Sequence, residues 1–236
     1  SFSLKLHSFT LAEVLITLVV IGIIASITVP VVMANHRKTE TTAKLKKVYS
    51  SIENACRLSE INNTLGFPNE YYNFEEFFKS SLAPYINYSE VNQDEYKNIY
   101  YTEKNINKLG WNNSGAGEYF VSLNDGTTLM FYDNGCPYVF TSVLVDINGL
   151  KGPNEAGRDI FAFYINDKDS EWAHDTFGEK FNNIPIAGFY LNLFSCTRNE
   201  IITSCSDNDS VESVHMCTYL IMNDGWEIKD DYPIKI

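Results

Sequence analysis

Apolar residues near the start of the chain form one long uncharged run, followed by a segment of mixed polarity. Residues 14–34 contain no charged side chain, and a helix of that length extends about 30 Å, the thickness of a bilayer core. From residue 38 to residue 62 no Pro or Gly interrupts the chain, and apolar residues recur at helical spacing. These residues are Ala43, Val48, Ile52, Ala55 and Leu58, with Leu45, Tyr49 and Cys56 beside them. The pattern predicts a single helix over 9–62, about 80 Å long, whose outer half is amphipathic.

The rest of the chain shows the shorter apolar segments that are typical of strands joined by turns. Two such segments flank Asn124-Asp125-Gly126, which is a strong hairpin signal. The other predicted elements are a short helix after the N-cap Asn73, a variable loop over 86–117, strands over 139–147 and 160–165, an element of undecided type over 186–194, and a helix or strand over 217–222. The predicted fold class is α+β, with a long N-terminal helix packed on an antiparallel sheet.

The composition is that of a globular protein with an uneven charge. Of the 236 residues 44% are hydrophobic and 20% are charged, which excludes a disordered chain and a polytopic membrane protein. Residues 1–58 carry seven Lys and Arg against three Asp and Glu, a net charge of +4, whereas residues 59–236 carry eleven against twenty-seven, a net charge of −16. Such an acidic body argues against binding of a nucleic-acid backbone. Because the sequence also holds no phosphate loop, HExxH motif or nucleophile elbow, we predict no enzymatic activity.

Three interpretations of the apolar run compete: a cleaved secretory signal, a plain membrane anchor, and a more specialised segment. A secretory signal has a shorter apolar core, of roughly 7–15 residues, and a small-residue cleavage site behind it. Here the polar residues 35–38 follow the run directly. A plain anchor does not account for Glu13, because an acid inside a bilayer costs about 2.5–3.5 kcal/mol. Such an acid is either functional and paired, or it reaches the interface as the first residue of an anchor.

The residues around Glu13 resemble a known processing signal. The segment Ser8-Phe9-Thr10-Leu11-Ala12-Glu13-Val14 is similar to the N-terminal signal of type IV pilins and type II secretion pseudopilins. The resemblance implies that a prepilin peptidase removes residues 1–8 by cutting between Ser8 and Phe9. The same enzyme would then methylate the new amine of Phe9. The sequence departs from the family pattern at Ser8, where most members have Gly.

The resemblance also implies roles in assembly for residues inside the apolar run. Gly22 and Pro30 lie in the register in which many pilins have Gly and Pro. Pro30 would bend or locally melt the helix, because proline removes a backbone donor and clashes with the preceding turn. In a filament, Glu13 of one subunit would neutralise the Phe9 ammonium of its neighbour.

By the same resemblance the chain divides into four parts. These are a leader over 1–8, a transmembrane and assembly helix over 9–35, an amphipathic helix over 36–62 that packs on the head, and a pilin-like α+β head over 63–236. The implied function is that of a structural subunit of a type IV pilus-like or type II secretion pseudopilus filament. Its partners would be prepilin peptidase, other pilin or pseudopilin subunits and the membrane. The alternative is a membrane-anchored binding module that does not polymerise.

The implied location is the bacterial inner membrane, crossed once with the head outside the cytoplasm, and then a filament in the periplasm or on the cell surface. The five basic side chains between residues 37 and 47 favour the opposite orientation, since basic residues usually flank a span on its cytoplasmic side. The processing signal is the more specific feature, and we follow it.

A loop between the third and fourth predicted strands is rich in glycine and in oxygen-bearing side chains. It resembles the calcium loop that follows the sheet in major pseudopilins, and Ca²⁺ takes six to eight oxygen ligands. The candidate ligands are Asp146, Asn148, Leu150, Asn154 and Asp159. Only two of them are carboxylates, and the basic residues Lys151 and Arg158 lie among them. The alternative is a rigid turn in which Asp and Asn accept bonds from backbone amides and Arg158 pairs with an acid.

The five cysteines fit disulfides better than a metal site. Their spacing matches no zinc motif, and an exported head would enter an oxidising compartment. Cys196 and Cys205 bracket a short polar loop and form the first predicted pair. Cys136 and Cys217 form the second, which leaves Cys56 as a buried thiol. Pairing of Cys56 with Cys136 or Cys217 is the open alternative.

Overall fold

The chain folds as a long N-terminal helix packed on an antiparallel sheet, which confirms the predicted α+β class. The computed structural model describes residues 10–65, 73–103, 118–132, 140–166, 186–187, 196–206 and 211–236. The helices are α1 (Leu11–Ile61), α2 (Phe74–Phe77), α3 (Gln93–Asn98), α4 (Arg198–Cys205) and α5 (Val211–Asn223). The strands are β1 (Tyr88–Glu90), β2 (Tyr119–Leu123), β3 (Thr128–Tyr132), β4 (Phe140–Asp146), β5 (Ile160–Asn166) and β6 (Ile186–Ala187).

The six strands form a meander in which each strand pairs antiparallel with the next in the chain. The predicted hairpin joins β2 to β3, and its register places Ser122 opposite Thr128. Gly126 has a φ of +86° in the turn, a left-handed conformation that L side chains rarely adopt. The amide of Gly126 donates to the carbonyl of Leu123 at 2.9 Å, which closes the turn.

The outer half of α1 is attached to the head through one stripe of buried residues. The stripe alternates steps of four and three residues, which keeps it on a single side of the helix. Its members are Thr41, Leu45, Val48, Ile52, Ala55 and Ser59. Leu45 and Ile52 are fully buried and share a core cluster with Phe131 and Phe163 of the sheet. Ala43, which the sequence placed in the stripe, is exposed instead, because it lies outside this 3-4 spacing.

A second layer of helices covers the opposite face of the sheet. Successive strand residues point to alternate faces, so Phe131 contacts the α1 side while its neighbour Met130 lies in a cluster with Val214 of α5. The Thr218 hydroxyl on α5 accepts a hydrogen bond from the Ala162 amide on β5 at 3.0 Å. The sheet is therefore enclosed between α1 and α5, an arrangement that the sequence did not indicate.

Two local predictions differ from the structure, and a third is decided by it. Residues 86–117 were predicted as a variable loop, yet β1 and α3 lie within the described part of that region, up to residue 103. Of the two types predicted for 217–222 the structure shows the helix, since the segment belongs to α5, which begins at Val211. α1 continues through Pro30 without a break rather than melting there, because proline removes only its own donor and the adjoining turns keep theirs.

Candidate functional site

The inner half of α1 is an apolar helix that nothing in the described part of the chain covers. By length and composition it fits a membrane anchor or a signal sequence, with a mean hydropathy of 2.7 over its most apolar stretch, none of which is buried. The exposure of its large apolar side chains runs from 43% at Val14 to 78% at Leu11. Burying such a side chain contributes about 1.5–3 kcal/mol, and an exposed apolar surface of this extent marks a contact with lipid or protein.

Glu13 closes the N-terminus of this helix through a capping box with Thr10. Glu13 Oε2 accepts hydrogen bonds from the Thr10 amide at 2.8 Å and from the Thr10 hydroxyl at 2.7 Å. In return the Glu13 amide donates to the Thr10 hydroxyl at 3.3 Å. The carboxylate is thereby held at the first turn of the helix, next to the peptide bond that joins Phe9 to Thr10. The predicted cleavage residues Ser8 and Phe9 lie outside the described residues.

The two other predicted assembly residues lie on the exposed apolar helix. A side chain at Gly22 would meet no atom within 4 Å, so no contact inside the described part of this chain explains the glycine. Small residues of this kind let a second helix approach closely in lipid.

Pro30 lies within the helix, and the Ser26 hydroxyl donates to the Ile23 carbonyl at 2.7 Å. Thr17 and Thr28 make similar bonds to backbone carbonyls, so these hydroxyls are satisfied without water.

Two ion pairs attach α1 to the head just beyond the apolar run. Lys38 Nζ lies 3.0 Å from Asp230 Oδ1, in the C-terminal segment, and Lys47 Nζ lies 2.7 Å from Asp125 Oδ2, in the β2–β3 turn. A third basic residue, Lys44, pairs with Glu40 on its own helix at 3.0 Å. Much of the positive charge after the apolar run is therefore matched by acids of this protein, which gives these residues a role other than marking the cytoplasmic side.

The C-terminal segment after α5 packs against α1. Ile228 is buried in the core cluster that contains Leu45, and Trp226 contacts Tyr49 with ring centroids 5.0 Å apart. The Tyr232 hydroxyl donates to the Gly157 carbonyl at 2.6 Å, which joins the end of the chain to the loop between β4 and β5. These contacts fix the outer half of α1 in the head while the inner half projects from it.

The loop from Asp146 to Asp159 is held together by its own hydrogen bonds. Asp159 Oδ2 accepts from the Asn154 amide at 2.8 Å and from Asn148 Nδ2 at 2.9 Å, and Oδ1 accepts from the Glu155 amide at 2.7 Å. Asp146 Oδ1 accepts from the Asn148 amide at 3.2 Å. Both aspartates are almost fully buried.

The acids of this loop are satisfied by donors of the protein itself. Asp146 Oδ2 accepts from the buried Tyr100 hydroxyl at 2.9 Å, so each oxygen of both carboxylates already faces a protein donor. Within the described ranges no group of three or more His, Cys, Asp or Glu side chains converges on one point. The Leu150 side chain is 45% exposed, and Arg158 pairs with Glu155 at 2.9 Å. The geometry favours the alternative of a rigid turn whose acids cap backbone amides.

The predicted disulfide pairs are wrong, because Cys205 is bonded to Cys217. α4 and α5 form a helical hairpin that places the Cα atoms of Cys205 and Cys217 4.7 Å apart. The spacing of the cysteines in the sequence did not reveal that hairpin. Cys196 is a free, half-buried thiol, which excludes the Cys196–Cys205 pair. Cys56 is free and buried in α1, as expected of the left-over thiol, and burial raises its pKa to about 12. Cys136 lies outside the described residues.

Residues 31–236 match a family of unknown function, DUF6613. The chain belongs to this family. The DUF6613 match covers the head and the outer half of α1, and it starts one residue after Pro30, so most of the apolar run and the residues that resemble a processing signal precede it. No curated protein and no solved structure matches the chain. Membership of DUF6613 therefore assigns the head to a family without giving it a function, and the geometry of α1 is what bears on function.

Proposed function

We propose that this DUF6613 protein is a structural subunit of a type IV pilus-like or type II secretion pseudopilus filament. The observation that carries the proposal is the division of one continuous helix into two halves. The half up to Met33 is apolar and exposed, whereas the half from Thr41 to Ser59 is embedded in the head. A helix with this division can stay in lipid as a precursor and later pack against equivalent helices of other subunits.

The position of Glu13 supports assembly over simple anchoring. Its carboxylate lies at the first turn of the apolar helix, which begins after the N-cap Thr10. Cleavage between Ser8 and Phe9 would leave a free amine on Phe9, one residue before Thr10. In lipid an acid is costly, and an ammonium from an adjacent subunit would offset that cost. The pilin-like arrangement belongs to the same proposal, with residues 9–35 for assembly, 36–62 for packing and 63–236 as the head.

The proposal places the protein in the bacterial inner membrane, with the head outside the cytoplasm until assembly. The Cys205–Cys217 disulfide supports a head outside the cytoplasm, because disulfides persist in oxidising compartments. Prepilin peptidase and other subunits are the proposed partners.

A second candidate is a membrane-anchored binding module. A groove of about 660 Å³ between α1 and the β2–β3 turn favours it. Lys47, Ser51 and Asn54 of α1 line one side of the groove, and Asn124 and Asp125 line the other. A groove of this size, with polar side chains on both sides and a mostly apolar lining, would suit a small ligand. Filament formation separates the two candidates, because a binding module needs no contact between copies.

The decisive experiment replaces Glu13 in the native host. Glu13→Gln keeps the size of the side chain and removes its charge, and we expect it to enter the membrane normally while losing incorporation into sheared extracellular or periplasmic fibres. Glu40→Gln is the matched control, since it removes an acid from the same helix beyond the apolar run. Mass measurement of the N-terminal peptide of the wild type should show a methylated Phe9. Glu13→Gln subunits in fibres at the wild-type level would defeat the assembly proposal.

A further inference from the structure

A polar pocket of about 550 Å³ lies between α1 and the C-terminal segment. α1 lines it with Asn35, Lys38, Thr39 and Thr42, and residues 226–230 line its other side. The four positions on α1 are related by steps of three and four residues, so their side chains lie on one face of the helix. The pocket is therefore bounded by one face of α1 and by a segment from the far end of the sequence.

The pocket begins where the apolar run of α1 ends. Asn35 directly follows Ala34, the last residue of the run, and Lys38 lies four residues beyond Ala34, which is about 6 Å along the helix axis. The headgroup layer on each side of a bilayer is about 5–8 Å thick. With the apolar run in the hydrocarbon, Lys38 lies at the level of the lipid headgroups.

The side chains of the pocket carry charges of both signs. Lys38 Nζ lies 3.0 Å from Asp230 Oδ1, and the Asp230 side chain is fully exposed. An ammonium has three donors, and the bond to Asp230 uses one of them. Glu227 is exposed and makes no ion pair within the described residues, whereas Lys229 is bound to Asp224 at 2.8 Å. The pocket therefore offers one ammonium with further donors and two exposed carboxylates.

We propose that this pocket binds the headgroup of a zwitterionic phospholipid with a primary amine, of the phosphatidylethanolamine class. Lys38 Nζ and the side-chain amide of Asn35 donate to the lipid phosphate, and the lipid ammonium donates to the carboxylates of Asp230 and Glu227. This inference rests on the membrane location in the proposed function and needs no filament. A headgroup bound here holds the head at a fixed height above the bilayer.

Two other lipid classes match the charges of the pocket less well. An anionic headgroup such as that of phosphatidylglycerol brings a phosphate without a cation, and the two carboxylates of the pocket repel it. A choline headgroup has a cation, but its quaternary ammonium has no N–H and so makes no charge-assisted hydrogen bond to Asp230 or Glu227. The pocket therefore favours a phosphate that is joined to a primary ammonium.

The test measures which phospholipid the purified full chain retains. The protein is placed in nanodiscs with equal amounts of phosphatidylethanolamine, phosphatidylcholine and phosphatidylglycerol of the same acyl chains. The lipids that stay bound after mild detergent extraction are counted by native mass spectrometry.

Three variants are compared with the wild type. Lys38→Met removes the ammonium, and the double variant Asp230→Asn with Glu227→Gln removes both carboxylates. Lys46→Met is the matched control, because Lys46 is an exposed lysine of the same helix that lies outside the pocket. Circular dichroism of each variant establishes that a loss of lipid is not a loss of fold.

We expect the wild type to retain phosphatidylethanolamine about fivefold over each of the other two lipids, the effect of one exposed hydrogen bond. Lys38→Met should retain about fivefold less of it, the contribution of one basic residue at a membrane surface. The double variant should still bind lipid but lose the preference over phosphatidylcholine. Lys46→Met should match the wild type.

Equal retention of the three lipids by the wild type would overturn the inference. A preference for phosphatidylglycerol would also overturn it, because it would show a general attraction of basic residues to anionic lipid. Equal losses in Lys38→Met and Lys46→Met would have the same consequence. A chain absent from the membrane fraction of its native host would overturn the proposed function as well, whereas a membrane-bound chain without lipid preference would overturn this inference alone.

Discussion

Asp224, only 4% of whose side chain is exposed, accepts two charge-assisted hydrogen bonds from Arg198. Nη2 of Arg198 lies 2.7 Å from Oδ2, and Nε lies 2.9 Å from Oδ1. Lys229 adds a bond of 2.8 Å to Oδ1, and Arg198 also holds Asp231. This network joins the start of α4 to the C-terminal segment that packs against α1. The hydrogen bonds from Arg198, and to a smaller extent from Lys229, hold the pKa of Asp224 below its ordinary value despite its burial.

The lowered pKa of Asp224 predicts a loss of stability in acid. Because Asp224 has the higher pKa in the unfolded chain, the unfolded chain binds more protons and stability rises with pH. The contribution is complete above about pH 4 and is lost as the pH falls through the lower folded pKa. Asp224→Asn should reduce the free energy of unfolding by about 2 kcal/mol at neutral pH, and by progressively less in acid.

Urea unfolding of the full chain in detergent micelles, followed by tryptophan fluorescence, measures this difference. Glu53→Gln is the control, because Glu53 pairs with Arg57 on the surface of α1 at 3.0 Å. Such a surface pair should contribute about 0.5 kcal/mol or less. A deficit for Asp224→Asn that stays the same at every pH would contradict the linkage.

The same substitution should have a large effect on stability at one isoleucine of α1 and almost none at another. Ile52 is fully buried against the sheet, whereas Ile24 is 55% exposed on the apolar half. Ile52→Ala should lower the free energy of unfolding by about 2–5 kcal/mol, because it leaves a cavity in the core. Ile24→Ala should change it by less than about 0.5 kcal/mol. Equal losses in the same micelle unfolding assay would show that the two halves of α1 are not divided as described.

The Cys205–Cys217 disulfide should stabilise the second helical layer. Replacing both cysteines by alanine should cost about 3 kcal/mol, since the bond closes a short loop between α4 and α5. Cys196→Ser should leave the melting temperature unchanged, because Cys196 is a free thiol. Mass spectrometry of non-reduced peptides identifies the linked cysteines directly. Recovery of a peptide that joins Cys196 to Cys205 would refute the pairing.

The loop between β4 and β5 should be stable without calcium. Asp159→Asn should lower the free energy of unfolding by about 1–3 kcal/mol, because the backbone amides of Asn154 and Glu155 would lose a charged acceptor. The loss should be the same in Ca²⁺ and in chelator. Calorimetric titration of the wild type with Ca²⁺ should give no heat of binding. A melting temperature that falls in chelator and recovers with Ca²⁺ would support the predicted metal site.

Local patterns in the sequence were sufficient for the main elements of the fold. The 3-4 spacing of apolar residues predicted the outer half of α1, and Asn124-Asp125-Gly126 predicted the β2–β3 hairpin in its observed position. The uncharged run predicted the exposed apolar helix, and Cys56 lies buried in α1 as expected. Each of these features depends on neighbours within a few residues, so periodicity and turn chemistry reveal them.

The candidate site was predictable only in part. The sequence singled out Glu13 by its cost in lipid, but it did not show that Thr10 holds the carboxylate. Asp146 and Asp159 were correctly expected to lie in one loop, yet their role depends on which donors surround their oxygens. A donor such as the Tyr100 hydroxyl comes from 46 residues away, and no local pattern indicates that contact.

The sequence by itself determined that this protein has a membrane-length apolar helix, an amphipathic continuation and several strands, two of them in a hairpin, because hydrophobic periodicity is a local property of the chain. Only the tertiary structure decided that α5 covers the second face of the sheet, that Cys205 is bonded to Cys217, and that the C-terminal segment packs against α1. The first and third features join residues that are distant in sequence. The disulfide depends on how α4 packs against α5, which sets the distance between the two cysteines. Burial of apolar area, which is not directional, selects among many such arrangements.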